Sequence, residues 1–204
     1  ARAQHTWNDL EGRKYAALGT SKALYIYYED AFYDITPLDT AISGATFTTT
    51  NTSTTVTVNK TSHNLELGEY ITFTSVTPPT GAGFVATDFE NNTFEVLNVA
   101  ANTFDITMPS AASGSTSATG SGVINPYVEI GPTIQTYGYG WGTSTWGTVA
   151  WGIGSTSTQV ILDPGSWSLD NFGQQLIATI KDGKTWVWDA GLSNPLERRA
   201  VVMS

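Results

Sequence analysis

Cysteine is absent from this 204-residue chain, which removes disulfides, thiolate metal sites and a cysteine nucleophile together. A secreted scaffold stapled by disulfides is thereby excluded. Charge is scarce: 13% of residues are Asp, Glu, Lys or Arg, against about a quarter in ordinary soluble domains. Basic residues are scarcer still, 9 against 18 acids, for a net charge of −9. A specific nucleic-acid binder carries a basic patch, yet the basic clusters here are only the dipeptides Arg13-Lys14 and Arg198-Arg199. Nucleic-acid grip is disfavoured, while an acidic surface past which DNA slides remains compatible. No run approaches the roughly 18 apolar residues of a membrane span, so no membrane anchor is expected. Helical periodicity is missing throughout, and histidine occurs only as His5 and His63.

What fills the chain instead is Thr, Ser, Asn and Gly around short apolar runs, the composition of an all-β protein. Three zones separate. In residues 1–44, Ala23-Leu24-Tyr25-Ile26-Tyr27-Tyr28 and Phe32-Tyr33-Asp34-Ile35-Thr36 flank the turn Glu29-Asp30-Ala31 and stop at Pro37. Two aromatic and β-branched runs about a polar break predict a hairpin. Residues 7–15 are mixed and read as loop or a short strand. Residues 45–124 are Thr-rich and hold four strand patterns: Thr55–Val58, Tyr70–Thr74, Thr93–Val99 and Thr103–Thr107. They predict a compact inserted β-barrel or sandwich module. The small, polar stretch Ser110–Gly122 reads as a flexible linker out of it. In residues 125–204, Gln175–Ile180 and Thr185–Trp188 flank Lys181-Asp182-Gly183-Lys184. Asp-Gly between two strand runs is a strong hairpin signal, because both residues tolerate positive φ. The two outer zones share one style and predict a hairpin-built β-domain interrupted by the module. The apolar run Ala200-Val201-Val202-Met203 needs covering, so we expect a segment of a longer polypeptide.

Candidate chemistry is thin. A histidine triad requires His5 or His63 with a serine and an acid, and no nucleophile-elbow pattern is present. His63, in Lys60-Thr61-Ser62-His63-Asn64, reads as a turn or packing residue. Gly183-Lys184-Thr185 resembles the end of a phosphate-binding loop, but Ala178 stands where that motif needs glycine and a strand follows where it needs a helix. Asp88-Phe89-Glu90-Asn91-Asn92 and Glu29-Asp30 offer oxygen atoms to a calcium ion, but the alternation of a calcium loop is missing and both read as solvated loop. No catalytic, metal or cofactor site is assigned.

The segment Tyr137–Gly152 stands apart. Trp-Gly recurs at Trp141, Trp146 and Trp151, with Tyr137 and Tyr139 ahead of them. A five-residue step matches neither strand nor helix period, and the interleaved glycines disfavour a regular element. Such a ribbon needs its rings to pin it, since an indole buries a large area. We read Tyr137, Tyr139, Trp141, Trp146 and Trp151 as assembly anchors. The alternative is an exposed platform on which sugar rings stack, as bases do on aromatics.

These residues carry a resemblance. Tyr139–Gly142, Trp146-Gly147, Trp151-Gly152, Trp167–Ala178 and Trp186–Asp189 resemble large structural proteins of tailed bacteriophages, as do Ala17–Thr20, Leu24-Tyr25 and Tyr33–Pro37. The Thr-rich zone, through Ser62-His63, Leu67–Phe73, Phe94–Val99 and Asn102–Phe104, is similar to a small module labelled by its likeness to the first catalytic cysteine half-domain of ubiquitin-activating enzymes. Without cysteine, none of that enzyme's chemistry carries over. The resemblance implies a non-enzymatic virion component at the tail or head-to-tail axis, nozzle-like and built with β-propeller blades. Its implied partners are copies of itself in a ring, neighbouring tail or head-to-tail proteins, and DNA in transient, non-specific passage. The runner-up is a tail-fibre or cell-surface glycan-binding β-module using exposed Trp141, Trp146 and Trp151.

Overall fold

The computed structural model describes residues 3–130, 134–135, 160–161, 165–180 and 183–203. Sixteen strands and two short helical turns make it an all-β protein among those residues. The chain divides into two compact units. One comprises Ala1–Tyr33, Glu129–Arg198 and Val202–Ser204, the other Asp34–Val128 with Arg199–Val201.

The first unit holds two four-stranded antiparallel meanders. One runs β1 (Ala3–Asn8), β2 (Lys14–Gly19), β3 (Leu24–Tyr28) and β4 (Ala31–Asp34) in spatial order. The hairpin expected about Glu29-Asp30 is present, and both residues have positive φ, 46° and 60°, as a type I′ turn requires. The Tyr27 hydroxyl donates to Asp30 Oδ1 at 2.7 Å and helps hold that turn. A second hairpin, β1–β2, forms from the mixed residues 7–15. Its turn is organised by Asp9, whose Oδ1 accepts the N–H groups of Glu11 and Arg13, each at 2.9 Å. That local side-chain pairing stands in for ladder bonds, so hydrophobic alternation gave little signal there.

The other meander appears further along the chain. After β11 (Ile134–Gln135) and β12 (Val160–Ile161), which pair with each other, come β13 (Trp167–Phe172), β14 (Gln175–Ile180), β15 (Thr185–Asp189) and β16 (Val201–Val202), in that order. Period-2 alternation buries Leu176 and Ala178 on β14 and Trp186 and Trp188 on β15. The two meanders meet through rings: Trp7 lies 6.2 Å from Trp188, Tyr15 5.5 Å from Trp188, and Trp7 stacks on Tyr15 at 5.5 Å. Gly19 is required where Trp167 crosses it, because a Cβ there would sit 2.5 Å from Trp167 Cδ1. The indole N–H of Trp167 then donates to Thr20 O at 3.1 Å.

The second unit is a six-stranded sheet that nearly closes into a barrel. Its strands are β5 (Ile42–Thr49), β6 (Thr55–Asn59), β7 (Tyr70–Thr77), β8 (Thr93–Glu95), β9 (Thr103–Thr107) and β10 (Thr116–Pro126), in the order β8-β7-β10-β5-β6-β9. The ends are drawn together by Leu97, just past β8, which exchanges backbone hydrogen bonds with Asp105 of β9 at 2.9 and 2.8 Å. Inward residues alternate along each strand: Ala45 and Phe47, Val56 and Val58, Ile71 and Phe73, Phe104 and Ile106. Their partners on the outer face are mostly threonines. The division of labour follows from the pleat.

Two expectations are corrected here. Ser110–Gly122 is no flexible linker: Thr116–Pro126 is the eleven-residue β10, hydrogen-bonded to β5 on one side and β7 on the other. Its small residues are demanded by close approach, as glycine within a strand often signals. A Cβ on Gly122 would lie 3.1 Å from Phe47 Cζ, and one on Gly120 (φ +72°) 2.5 Å from Thr77 O. Register shifts along both ladders show bulges that bend the strand around the barrel. Likewise, Asp88–Asn92 is no plain solvated loop. Ala86–Glu90 forms a single helical turn, α1, whose Phe89 is fully buried between Phe47 (4.7 Å) and Phe84 (5.7 Å). Asp88 Oδ2 accepts Val85 N–H at 2.9 Å, and Glu90 Oε1 accepts Val76 N–H at 2.8 Å. Five residues are too few to show a period, so the turn forms on tertiary contact.

Candidate functional site

The histidines are structural. His63 is buried beside Phe104, ring centroids 5.2 Å apart. Its Nδ1 accepts Leu65 N–H at 3.0 Å, which leaves the proton on Nε2 to be donated to Ala100 O at 2.9 Å. Both ring nitrogens are occupied, so the expected packing role holds and no general base is offered. His5, in the first unit, bonds Asn171 Oδ1 at 2.8 Å, with Asp170 Oδ1 at 3.9 Å. Among the described residues no serine is hydrogen-bonded to either ring. Gly183 and Lys184 precede β15, which Thr185 opens as a strand, so the phosphate-loop likeness fails as expected. Among the described residues no group of three or more His, Cys, Asp or Glu could hold a metal ion.

One polar constellation gathers residues far apart in sequence within the second unit. The Asp34 carboxylate accepts Thr36 N–H (2.9 Å) and the Thr36 hydroxyl (2.5 Å) on Oδ1. On Oδ2 it accepts the Tyr127 hydroxyl and Arg199 Nη2 (3.1 Å). Since the Tyr127 proton goes to Asp34, its oxygen is the acceptor for Arg199 Nη2 (2.7 Å) and for the Thr93 hydroxyl (2.9 Å). Arg199 also donates to Thr36 O at 2.9 Å and lies 4.6 Å above the Tyr127 ring. Burial, reinforced by the neighbouring carboxylate, pushes the Tyr127 phenol above its ordinary value. With four donors on the carboxylate, the cluster is saturated. It clamps segments of the unit rather than presenting a reactive group.

A concave feature among the described residues lies in the first unit. Trp7, Asn8, Lys14, Tyr15, Tyr28 and Glu29 line an open cleft of about 350 Å³ at the turn end of the β1–β4 meander. Tyr28 stacks on Tyr15 with centroids 4.8 Å apart. The Glu29 carboxylate, and then burial, raise the Tyr28 phenol, and burial raises that of Tyr15. Both rings therefore stay neutral at ordinary pH, leaving Lys14 and Glu29 as the cleft's charges. The Trp7 indole N–H is buried without an acceptor among the described residues. The arrangement suits non-covalent docking, with aromatic walls and a few polar groups. Sequence reasoning took residues 7–15 as loop or a short strand, Tyr28 as a strand former and Glu29 as a turn residue. The one available signal was the aromatic run Tyr25–Tyr28 ending directly on Glu29-Asp30.

The anchor residues Tyr137, Tyr139, Trp141, Trp146 and Trp151 lie outside the described residues. The four described tryptophans, Trp7, Trp167, Trp186 and Trp188, are all buried. No described helix is long and apolar enough to cross a membrane.

No family model matches the chain, and no curated protein matches it by sequence. Among solved structures the chain is similar to phage phi92 endosialidase, with a TM-score of 0.36 and 13% identity. That similarity covers 99% of this chain and 38% of the other, so the chain spans well under half of that protein's length.

Proposed function

We propose that this chain is a non-enzymatic structural component of a tailed-bacteriophage virion. It stands in a symmetric ring at the tail or head-to-tail axis, through which DNA passes. One observation carries this reading. The segments resembling phage structural proteins, Ala17–Thr20, Trp167–Ala178 and Trp186–Asp189, are those that pack the two meanders together through Gly19, Trp167 and Trp188. Four-stranded antiparallel meanders stacked through their faces have the form of propeller blades, and the nozzle-like reading takes them as such. The barrel is then an inserted module, similar in its quoted residues to the half-domain of ubiquitin-activating enzymes without its chemistry. A net charge of −9 suits a channel lining that repels the DNA backbone rather than gripping it.

The ring places copies of the chain against one another and against other tail proteins. Mass spectrometry of purified virions should find the chain, and a reconstruction of the particle should place it in an axial ring. Its absence from virions would end this reading. Glycan-array binding that vanishes on Trp141→Ala, with folding retained, would instead favour the cell-surface module.

A further inference from the structure

Four exposed apolar side chains share one end of the first unit. Leu10 (80% exposed) sits in the β1–β2 turn, and Phe172 (78%) ends β13 at the edge of the β13–β14 turn. Leu192 (49%) follows β15, and Phe32 (63%), second in β4, lies beside the Tyr27 ring, 5.0 Å away. Their proximity follows from register and cross-bonds. Asn8 pairs with Lys14 around the first turn, and Arg13 Nη2 donates to Ala190 O at 3.4 Å. Phe172 pairs with Gln175 around the second, Gln175 pairs in turn with Asp189 of β15, and the Gln174 amide donates to Asp189 Oδ1 at 3.0 Å. The His5–Asn171 bond joins the two meanders just below.

Folding energy does not account for this crown. Turns usually carry polar residues, yet Leu10 sits in one, and exposed apolar side chains gathered at one end of a unit mark an interaction surface. The turns beneath are rigidly built, Asp9 with three hydrogen-bond donors and Asp189 with both Gln174 and Gln175. A preorganised surface loses less entropy on binding. The aromatic cleft lined by Tyr15, Tyr28 and Glu29 opens at the same end.

The charge around the crown selects the occupant. Glu11, Glu29 and Asp30 are exposed there, and Asp170 lies one residue below Asn171. Arg13 is already engaged by Asp9 (2.6 Å) and Glu11 (3.3 Å), which leaves Lys14 as the cation facing the cleft. Two such acidic ends repel each other, and an anionic lipid surface is repelled likewise. The geometry points to a protein partner: this turn end docks another polypeptide through an apolar patch fringed with Lys and Arg, one of whose side chains seats in the aromatic cleft. The claim concerns the surface itself. The identity of the partner as a neighbouring virion protein rests on the function proposed above.

The test uses the full chain and a defined probe, a synthetic amphipathic helical peptide with leucine on one face and lysine on the other. Binding is read by fluorescence anisotropy. Leu10→Ser and Phe172→Ser each should weaken it at least fivefold, and raising salt from 0.05 to 0.5 M at least tenfold. Serine at the exposed apolar positions Val85 and Leu67 of the barrel serves as the control and should leave affinity unchanged. Absence of binding, or equal weakening by crown and control variants, overturns the proposal. In purified particles, carbodiimide coupling should join Glu11, Glu29 or Asp30 to lysines of a different polypeptide. Coupling only to lysines of another copy overturns the assigned occupant. Absence of the chain from particles would refute the virion reading alone, since the peptide titration decides the surface independently.

Discussion

Replacing Gly120 and Gly122 by alanine separates two kinds of constraint within one strand. Gly120 has φ +72°, and its added Cβ would lie 2.5 Å from Thr77 O and 3.0 Å from Pro78 C and Pro79 N, all backbone atoms. A left-handed conformation costs an L residue about 1–2 kcal/mol, and overpacking adds about 1–3 kcal/mol. Reduced freedom of the unfolded chain returns about 0.4–1 kcal/mol, so Gly120→Ala should destabilise the barrel by about 2–4 kcal/mol. At Gly122 the obstacle is the edge of a ring, Phe47 Cζ at 3.1 Å, with Phe73 and Val76 atoms at 3.5 Å. A shift of a few tenths of an ångström relieves it, and the net loss should be at most about 1 kcal/mol. The gap of about 2–3 kcal/mol corresponds to roughly 30- to 150-fold in an opening equilibrium. Tryptophan fluorescence is silent here, because no tryptophan occurs between residues 8 and 140. Hydrogen exchange of peptides from β5, β6 and β9 reads the opening directly. Equal protection in the two variants, or a gain in both, is the behaviour of a flexible linker and would refute the account of β10 as a bent central strand.

Three further outcomes are expected. Gly19→Ala should displace Trp167 and weaken its bond to Thr20 O, lowering stability by about 2–3 kcal/mol in denaturation followed by tryptophan emission; an unchanged midpoint would contradict the packing described. His63→Ala should cost the barrel about 2–4 kcal/mol, from the lost ring and two backbone groups left unpaired, and a loss under about 0.5 kcal/mol would refute that. Burial acts to raise the Asp9 carboxyl, but the Arg13 side chain and the Arg13 and Glu11 amides outweigh it and hold it below its ordinary value. Asp189 is lowered chiefly by Gln175, against burial and with help from Gly191 and Gln174. A lowered folded pKa gives stability that is full above the unfolded value near 4 and lost as pH falls through the folded one. Melting temperatures between pH 6 and 2 should therefore fall less steeply in Asp9→Asn than in the parent chain, and parallel curves would remove Asp9 from the acid response.

The sequence alone determined what is local and periodic. Thr55–Val58 and Thr103–Thr107 alternate because one face of each strand meets the barrel core, and Gln175–Ile180 with Thr185–Trp188 announced their hairpin through pattern and turn together. Absent cysteine and scarce basic residues bound the chemistry by composition alone. Tertiary structure decided the rest. Serine, glycine and alanine in 110–122 have the composition of a linker, and only the rings of Phe47 and Phe73 reveal that small residues are needed for a strand to pass. Phe89 buries itself on one helical turn too short to carry a period. Arg199 and Asp34 stand 165 residues apart, a separation at which no pattern links them. Leu10, Phe32, Phe172 and Leu192 likewise become one surface only when two meanders stack with their turns at the same end. Periodicity records which face of a single element is buried; which elements share that burial is set by long-range packing.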